Sequence, residues 1–411
     1  MKRNDGSDRA KTTHWRPATR AVRGGTRRSE FGETSEALFL TSGFSYDSLQ
    51  QAEARFADPS QGHTYTRQAN PTVEMFEERL ALLEGAHWCR ATATGMAAIT
   101  ATLFALLKAG DHVVAHRVLF GSTRWLLEEW LPRYGISADF VDATDAAAVR
   151  GACRDDTRLL LVESPANPTM EVLDLAALAD IAHATGALFM VDNVFATPVL
   201  QRPMEFGADL VVYSATKHID GQGRVMGGAI LGRDEALLED PLGPFLRHTG
   251  PSLSPFNAWV LLKGLETLPL RVEAMSKAAE RIARHLASRG LDVRYPGLEG
   301  TPDAELARRQ MRIGGSLIAF CLPSDKGDDE EAELATAHRF FDALEIIDIG
   351  NNLGDARTIA AHPWSTTHRA LDPQVRRAMG IGPALVRLSV GLEDPADLIA
   401  DLDHALDQAA K

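Results

Sequence analysis

The sequence predicts an α/β protein: a mostly parallel, doubly wound sheet domain with a smaller α+β domain after it. Three observations predict it. Between about residues 85 and 232, short apolar runs alternate with helix-like segments. The runs are near-continuous rather than alternating, as suits strands buried on both faces. The intervening segments, such as "LAALADIAHATG" at 175–186, are amphipathic and end at glycine, as helices do.

The elements follow in chain order. Residues 1–65 read as an N-terminal arm and inter-subunit segment with little core of their own. The opening "MKRNDGSDRAKTTHWRPATRAVRGG" is basic with no apolar stretch behind it, so it is no secretory signal, and a flexible arm is expected for its first dozen residues. Residues 66–265 form the sheet domain. Its expected strands are "HVVAH", "ADFVD", "RLLLVES", "ALFMVDN", "DLVVYS" and "GGAILG". A helical pattern then runs over 255–290, which Pro269 is expected to kink or break. Residues 266–411 form the α+β domain, with strands in "GSLIAFCL" and "ALVRLSV" and helices in "AELATAHRFFDAL" and "DPADLIADLDHALDQAA".

Composition narrows the function. The chain of 411 residues is 45% hydrophobic and 24% charged, ordinary for a soluble globular protein. Its net charge of -13 argues against a nucleic-acid binder, which needs basic surface to neutralise phosphates. No apolar run approaches the ~20 residues of a membrane span. Cys89, Cys153 and Cys321 form no CxxC pair, and a reducing cytoplasm is expected.

Polar residues cluster where strands end, the place where open α/β sheets bind ligands. "LLLVESPANPT" delivers Glu163 and Asn167, "ALFMVDNVFATP" delivers Asp192 and Asn193, and "DLVVYSATKH" delivers Ser214, Thr216 and Lys217. Asn167, Asp192 and Lys217 stand 25 residues apart each time (192 − 167 and 217 − 192), a fitting length for one crossover and one strand. An amine, a carboxylate and two hydroxyls suit pyridoxal 5'-phosphate. Lys217 offers a Schiff-base amine, and Asp192 a partner for the pyridinium nitrogen. Ser214 and Thr216 suit a phosphate, as does the helix opening at Thr94, Gly95 and Met96, whose first N–H groups form an anion site. Each residue alone has a plainer reading, as a cap, a turn residue or a solvated charge.

Here the sequence resembles the trans-sulfuration family, the pyridoxal-phosphate enzymes of cysteine and methionine metabolism. The likeness runs from about Ala18 to the C-terminus through "YTRQANPT", "ATGMAAI", "ESPANPT", "VDNVFATP", "SATKHIDG" and "VRLSVGLED". It implies the fold-type-I architecture of these transferases, a cofactor held by Lys217, Asp192 at the ring nitrogen and Asn167 at the phenolic oxygen. It implies phosphate binding by Gly95, Met96, Ser214 and Thr216, and by Tyr65 and Arg67 reaching a neighbouring subunit's phosphate. It also implies an Arg387 clamp on the substrate α-carboxylate and a homotetramer built from dimers that share active sites.

Two departures refine what the likeness implies. Many relatives stack a tyrosine on the cofactor in "YGxT"; this chain has "LFGST", with Phe120, whose plainer reading is core packing. Methionine-cleaving relatives carry a cysteine where Ser122 stands. Many relatives also have serine where "NNLGDARTIAAHPWSTTH" has Asn352, taken as a substrate-binding position. These features resemble members that join sulfide to O-succinylhomoserine, giving homocysteine and succinate; the acetyl ester, cysteine as acceptor, or methionine cleavage remain alternatives. The substrates expected are thus small molecules, an activated homoserine and sulfide. Arg124 reads either as a contact to the acyl group or as a surface charge. His362 and His368 fit no common metal-ligand spacing, and no metal is expected.

Overall fold

In the computed structural model, residues 12, 14–323 and 329–411 are described; apart from Thr12, the expected flexible arm lies outside the described residues. The strands in chain order are β1 (Trp88–Thr92), β2 (His112–His116), β3 (Ser137–Val141), β4 (Thr157–Glu163), β5 (Leu188–Asp192), β6 (Leu210–Ser214), β7 (Gly228–Gly232), β8 (Val293–Arg294), β9 (Leu317–Cys321), β10 (Asp348–Ile349), β11 (Ile359–Ala361) and β12 (Leu385–Ser389). The class is the expected one, a mostly parallel α/β sheet and a separate, mainly antiparallel C-terminal sheet. The chain divides into two compact units. One runs to Leu107 and includes 209–220 and 224–269; the other comprises 108–208, 221–223 and 270–411.

The first unit orders its strands β1-β7-β6, with β7 antiparallel to both neighbours. Helix α1 (Pro71–Glu84) starts on the Asn70 side chain, which accepts from Thr72 N at 2.9 Å, and ends at Gly85 in the left-handed conformation. Helix α2 (Gly95–Leu106) starts on Thr94, whose hydroxyl accepts from Ala97 N at 2.9 Å. Strand β1 was not expected, because "WCRAT" carries Cys, Arg and two small residues instead of an apolar run. Its five-residue ladder to β7 overrides that weak local preference.

The N-terminal segment is fastened to this unit by buried charge. Arg79 is fully buried and donates to Gly24 O at 2.7 Å, Thr26 Oγ1 at 3.0 Å and Glu36 Oε1 at 2.5 Å. Lys263 donates to the other Glu36 oxygen at 2.5 Å. Burial alone would raise the Glu36 pKa, but Lys263 and Arg79 outweigh it and bring it down to about 2.

The second unit orders parallel strands β5-β4-β2-β3. Here β3 departs from the expected burial on both faces: it is an edge strand with half-buried and exposed side chains. Its second sheet runs β10-β11-β12-β9-β8, packed on a core that includes Ile318, Phe320, Phe340, Val386, Leu388 and Leu402. Strands β8, β10 and β11 hold two or three residues each, too short to show a period in sequence. Of the expected kink or break at Pro269, the break does not occur: the helix continues from Pro255 to Ser288. Proline removes one N–H bond, but buried Leu261, Leu265 and Leu268 before it and Val272 and Met275 after it anchor the turns on either side.

Glu36 carries the stability prediction of this section. Its folded pKa lies below the usual value of 4.5, so its contribution is present above that pH and is lost as pH falls toward about 2. Arg79→Ala takes one of its two cationic partners from buried Glu36, leaving Lys263, and should cost about 3 kcal/mol. Denaturant unfolding at neutral pH measures the loss, and the same experiment across the acid range should show a smaller pH dependence in the variant.

Candidate active site

In the first unit, β6 ends at Ser214 and the chain turns at once, with Lys217 N donating to Ser214 O at 3.2 Å. Lys217 and Thr216 are half-buried on this turn. The Thr216 hydroxyl accepts from Gly227 N at 3.1 Å, which ties the turn to the start of β7. Gly95 faces this strand end: a Cβ there would stand 2.7 Å from the Ser214 Cβ. At Gly228 a Cβ would lie 2.1 Å from the Thr94 carbonyl oxygen. Two glycines therefore let the N-terminus of α2, with Met96 in its first turn, close down on the Ser214 hydroxyl. Gly95, Met96, Ser214, Thr216 and Lys217 are gathered here. Helix N–H groups, hydroxyls and an amine suit an anionic group next to a carbonyl-reactive amine.

Tyr65 and Arg67 lie elsewhere in the same unit. Both are exposed, with the Arg67 guanidinium over the Tyr65 ring at 5.4 Å and donating to the Arg247 carbonyl. Arg67 borders a cavity of about 520 Å³ whose lining also includes Arg55, Arg90 and His248. Ser214, Thr216 and Lys217 do not line it.

The second unit gathers Phe120, Glu163, Asn167, Asp192, Asn352 and Arg387. Parallel pairing of β4 and β5 sets Glu163 opposite Asp192 at the ends of the two strands. Phe120 precedes a short helix, α3 (Gly121–Trp125), and is 40% exposed, so it is not a core residue. Its N–H donates to Glu163 Oε2 at 3.0 Å. Asp192 is densely surrounded although part of its surface stays open. Burial raises its pKa to about 7 against the lowering effect of a bond from Val194 N at 3.1 Å.

Arg387 projects from β12 and is buried. It donates to Asn167 Oδ1 at 3.1 Å and to the Asn351 and Asn352 carbonyls at 3.0 and 3.1 Å. Gly354 N donates to Ser389 Oγ at 2.9 Å, which pins the Asn352 loop to the same strand. No carboxylate lies within ion-pair distance of Arg387 among the described residues, and its Nε has no partner. Burial lowers its pKa to about 10, so it remains a cation at neutral pH. Its three partners are neutral acceptors, and a buried cation held this way calls for an anion.

Arg124, left open between an acyl contact and a surface charge, is neither. It is buried, pairs with Glu128 at 2.5 Å, donates to Arg117 O at 3.0 Å and stacks on Phe140 at 4.1 Å. His362 is occupied by Ser365 Oγ and Pro383 O, each at 2.7 Å. No group of three His, Cys, Asp or Glu side chains able to hold a metal occurs among the described residues. His368 was noticed only for its spacing. It is buried with an unpartnered Nε2, and its pKa falls to about 4, first through burial and then through Arg387 and Arg376. It is a neutral ring beside Arg387.

These residues fit pyridoxal phosphate. Asp192 is ionised readily only if a cation such as a pyridinium N–H approaches it. Arg387 can only donate, so the Asn167 oxygen must face it and the Asn167 amide N–H groups remain to meet an oxygen anion.

Comparison with known proteins agrees. Residues 18–407 match the family described as Cys/Met metabolism PLP-dependent enzyme. A protein of Mycobacterium tuberculosis named O-succinylhomoserine sulfhydrylase is 50% identical over 391 residues, 95% of each chain. One of the same name from Pseudomonas aeruginosa is 48% identical over 94% of each. Cystathionine gamma synthase of Xanthomonas oryzae pv. oryzae, solved in complex with aminoacrylate and cysteine, superposes with a TM-score of 0.89 at 34% identity, covering 96% of this chain and 99% of that one. Among the described residues no helix is long and apolar enough to cross a membrane.

The tight approach at Gly95 is testable without any ligand. Gly95→Ala must push α2 off Ser214 and should destabilise the protein by about 1–3 kcal/mol. Urea unfolding of the variant gives the value; an unchanged midpoint would contradict the packing.

Proposed function

The chain belongs to the Cys/Met metabolism PLP-dependent enzyme family, and on that footing we propose that it replaces the succinyl group of O-succinylhomoserine with sulfide, giving homocysteine and succinate. The carrying observation is Arg387, a buried cation supplied with neutral acceptors and, among the described residues, no counter-ion within ion-pair distance. An amino-acid α-carboxylate completes it in a bidentate pair. The relatives named O-succinylhomoserine sulfhydrylase, 48% and 50% identical, support the choice of substrate.

In this reading Lys217 holds the cofactor, Asp192 meets its ring nitrogen, Asn167 its phenolic oxygen, and Phe120 stacks on the ring. The first turn of α2 at Gly95 and Met96, with Ser214 and Thr216, binds the phosphate. When bound, pyridoxal phosphate supplies an electron sink that stabilises negative charge beside the amino group. Lys217 Nζ then takes the Cα proton and carries protons to and from the neighbouring carbons. Phe120 offers a ring face and no proton. A carboxylate such as succinate departs without strong acid help, whereas a thiolate leaving methionine benefits from one. Arg387, with Asn352 beside it, holds the α-carboxylate during these transfers.

Tyr65 and Arg67 serve the phosphate of a neighbouring subunit, within a homotetramer of site-sharing dimers. The exposure of both residues on the single chain, and the place of Arg67 in a cavity that Ser214, Thr216 and Lys217 do not line, support this. The three free thiols suit a reducing cytoplasm.

The deciding measurement is kcat/KM for O-succinylhomoserine and O-acetylhomoserine with saturating sulfide, and for methionine alone with 2-oxobutyrate as the readout. The succinyl ester should be used well, the acetyl ester comparably or more slowly, and methionine least. More efficient cleavage of methionine than of either ester would replace this reading with a γ-lyase.

Subunit sharing has its own test. Arg67→Ala and Lys217→Ala proteins should each be nearly inactive, and mixed subunits should regain activity, since a hybrid dimer can assemble one intact site. Hybrids demonstrated by mass spectrometry that stay inactive would rule out the shared site.

A further inference from the structure

We propose that Glu163 is a positioning residue, tying the loops of Phe120 and Asn167 together behind Asp192. The proposal rests on the assignment of those three residues to the cofactor. Glu163 is 3% exposed, too enclosed to meet a substrate. Its Oε2 accepts from Phe120 N at 3.0 Å, and the backbone N–H of Asn167 acts electrostatically on the same carboxyl, favouring its ionised form. Phe120 and Asn167 sit on separate loops, after β2 and after β4, and neither backbone N–H is part of a sheet ladder. One buried side chain thus holds the Phe120 amide and interacts with that of Asn167, and both residues carry proposed cofactor contacts.

Its charge state matters as much as its reach. The acidic neighbour is Asp192, opposite in register, and the cation acting on it is Arg387. Burial, then Asp192, raise the Glu163 pKa; the Phe120 and Asn167 amides and Arg387 oppose them and lose. Two adjacent carboxylates cannot both ionise easily in this setting. The shift biases Glu163 toward its neutral form and so favours negative charge on Asp192, where a pyridinium nitrogen needs it. The Phe120 N–H bond requires only an acceptor, which a neutral acid or a primary amide provides.

The test uses the full-length holoenzyme. Pyridoxal-phosphate affinity is read from the absorbance of the bound cofactor against its free concentration, with Tm recorded alongside. Glu163→Leu removes the acceptor and should weaken cofactor affinity about tenfold or more, the effect of leaving a buried amide unsatisfied. Glu163→Gln restores the acceptor without the charge and should recover affinity to within about threefold of the native protein. With succinyl ester and sulfide, the leucine variant should lose kcat more than it raises KM. Native affinity in Glu163→Leu overturns the proposal, and so does a glutamine variant as weak as the leucine one. Should the leucine variant fail to melt cooperatively, Glu163→Asp decides: it keeps the acid but withdraws it by one methylene, so native cofactor affinity there also overturns the idea. Absence of turnover by the native enzyme would sink the reaction reading alone, because the cofactor affinities still test Glu163.

Discussion

Desolvated, incompletely neutralised charge organises the polar cluster of the second unit. Parallel strands that end level with each other bring Glu163 and Asp192 side by side. Removal from water penalises two anions there, and both carboxyls shift upward. Arg387 shows the same penalty with opposite sign, its pKa lowered to about 10. The acidic pair and the arginine do not neutralise each other by contact, since no carboxylate reaches Arg387 within ion-pair distance among the described residues. A cluster arranged like this has two deficits, a cation beside Asp192 and an anion beside Arg387. On the proposed reading, a protonated pyridine and an amino-acid carboxylate fill them. Binding energy then comes from groups the fold keeps apart at a cost to its own stability.

The first unit solves a different problem, that of bringing backbone N–H groups close to a strand end. A side chain at Gly95 or Gly228 would collide with Ser214 or with the Thr94 carbonyl. Their absence lets the start of α2 sit beside the Ser214 hydroxyl. Thr94 caps that turn through Ala97 N.

The parts of this arrangement that the sequence reveals are those governed by local pattern. The strands ending at Glu163, Asp192 and Ser214 are near-continuous apolar runs, and that pattern reports burial on both faces directly. Polar residues placed just past such runs must lie at strand ends. Strand β1 escapes notice because its stability comes from pairing with β7, more than a hundred residues away. Arg124 was ambiguous for a similar reason. Glu128, one helical turn on, is visible in the sequence, but the Phe140 ring that covers the guanidinium arrives from strand β3. Glu163 was legible as a strand-end carboxyl and no more. Its partner Phe120 is 43 residues away, and nothing in either segment announces the bond.

Phe120 bears most directly on the chemistry. Its side chain is 40% exposed while its backbone is held by Glu163, so the residue presents a ring face from a fixed loop. Within this unit Asp192, with a pKa of about 7, is on the proposed reading taken by the ring nitrogen, and the other nearby groups are poorly placed or poorly suited to give a proton. Glu163, its pKa raised by burial, is enclosed and holds the Phe120 amide. His368 is neutral, with a pKa of about 4, and its open nitrogen is sealed from solvent. Arg387 loses a proton only near pH 10. A wall with rigid shape, strong field and little acid strength discriminates by leaving group. It favours a departure in which negative charge is already well stabilised by resonance, as in a carboxylate, over one in which a thiolate must be protonated as it leaves. The preference for an acyl-activated homoserine therefore follows from the same desolvation that sets the charges of Glu163, Asp192 and Arg387.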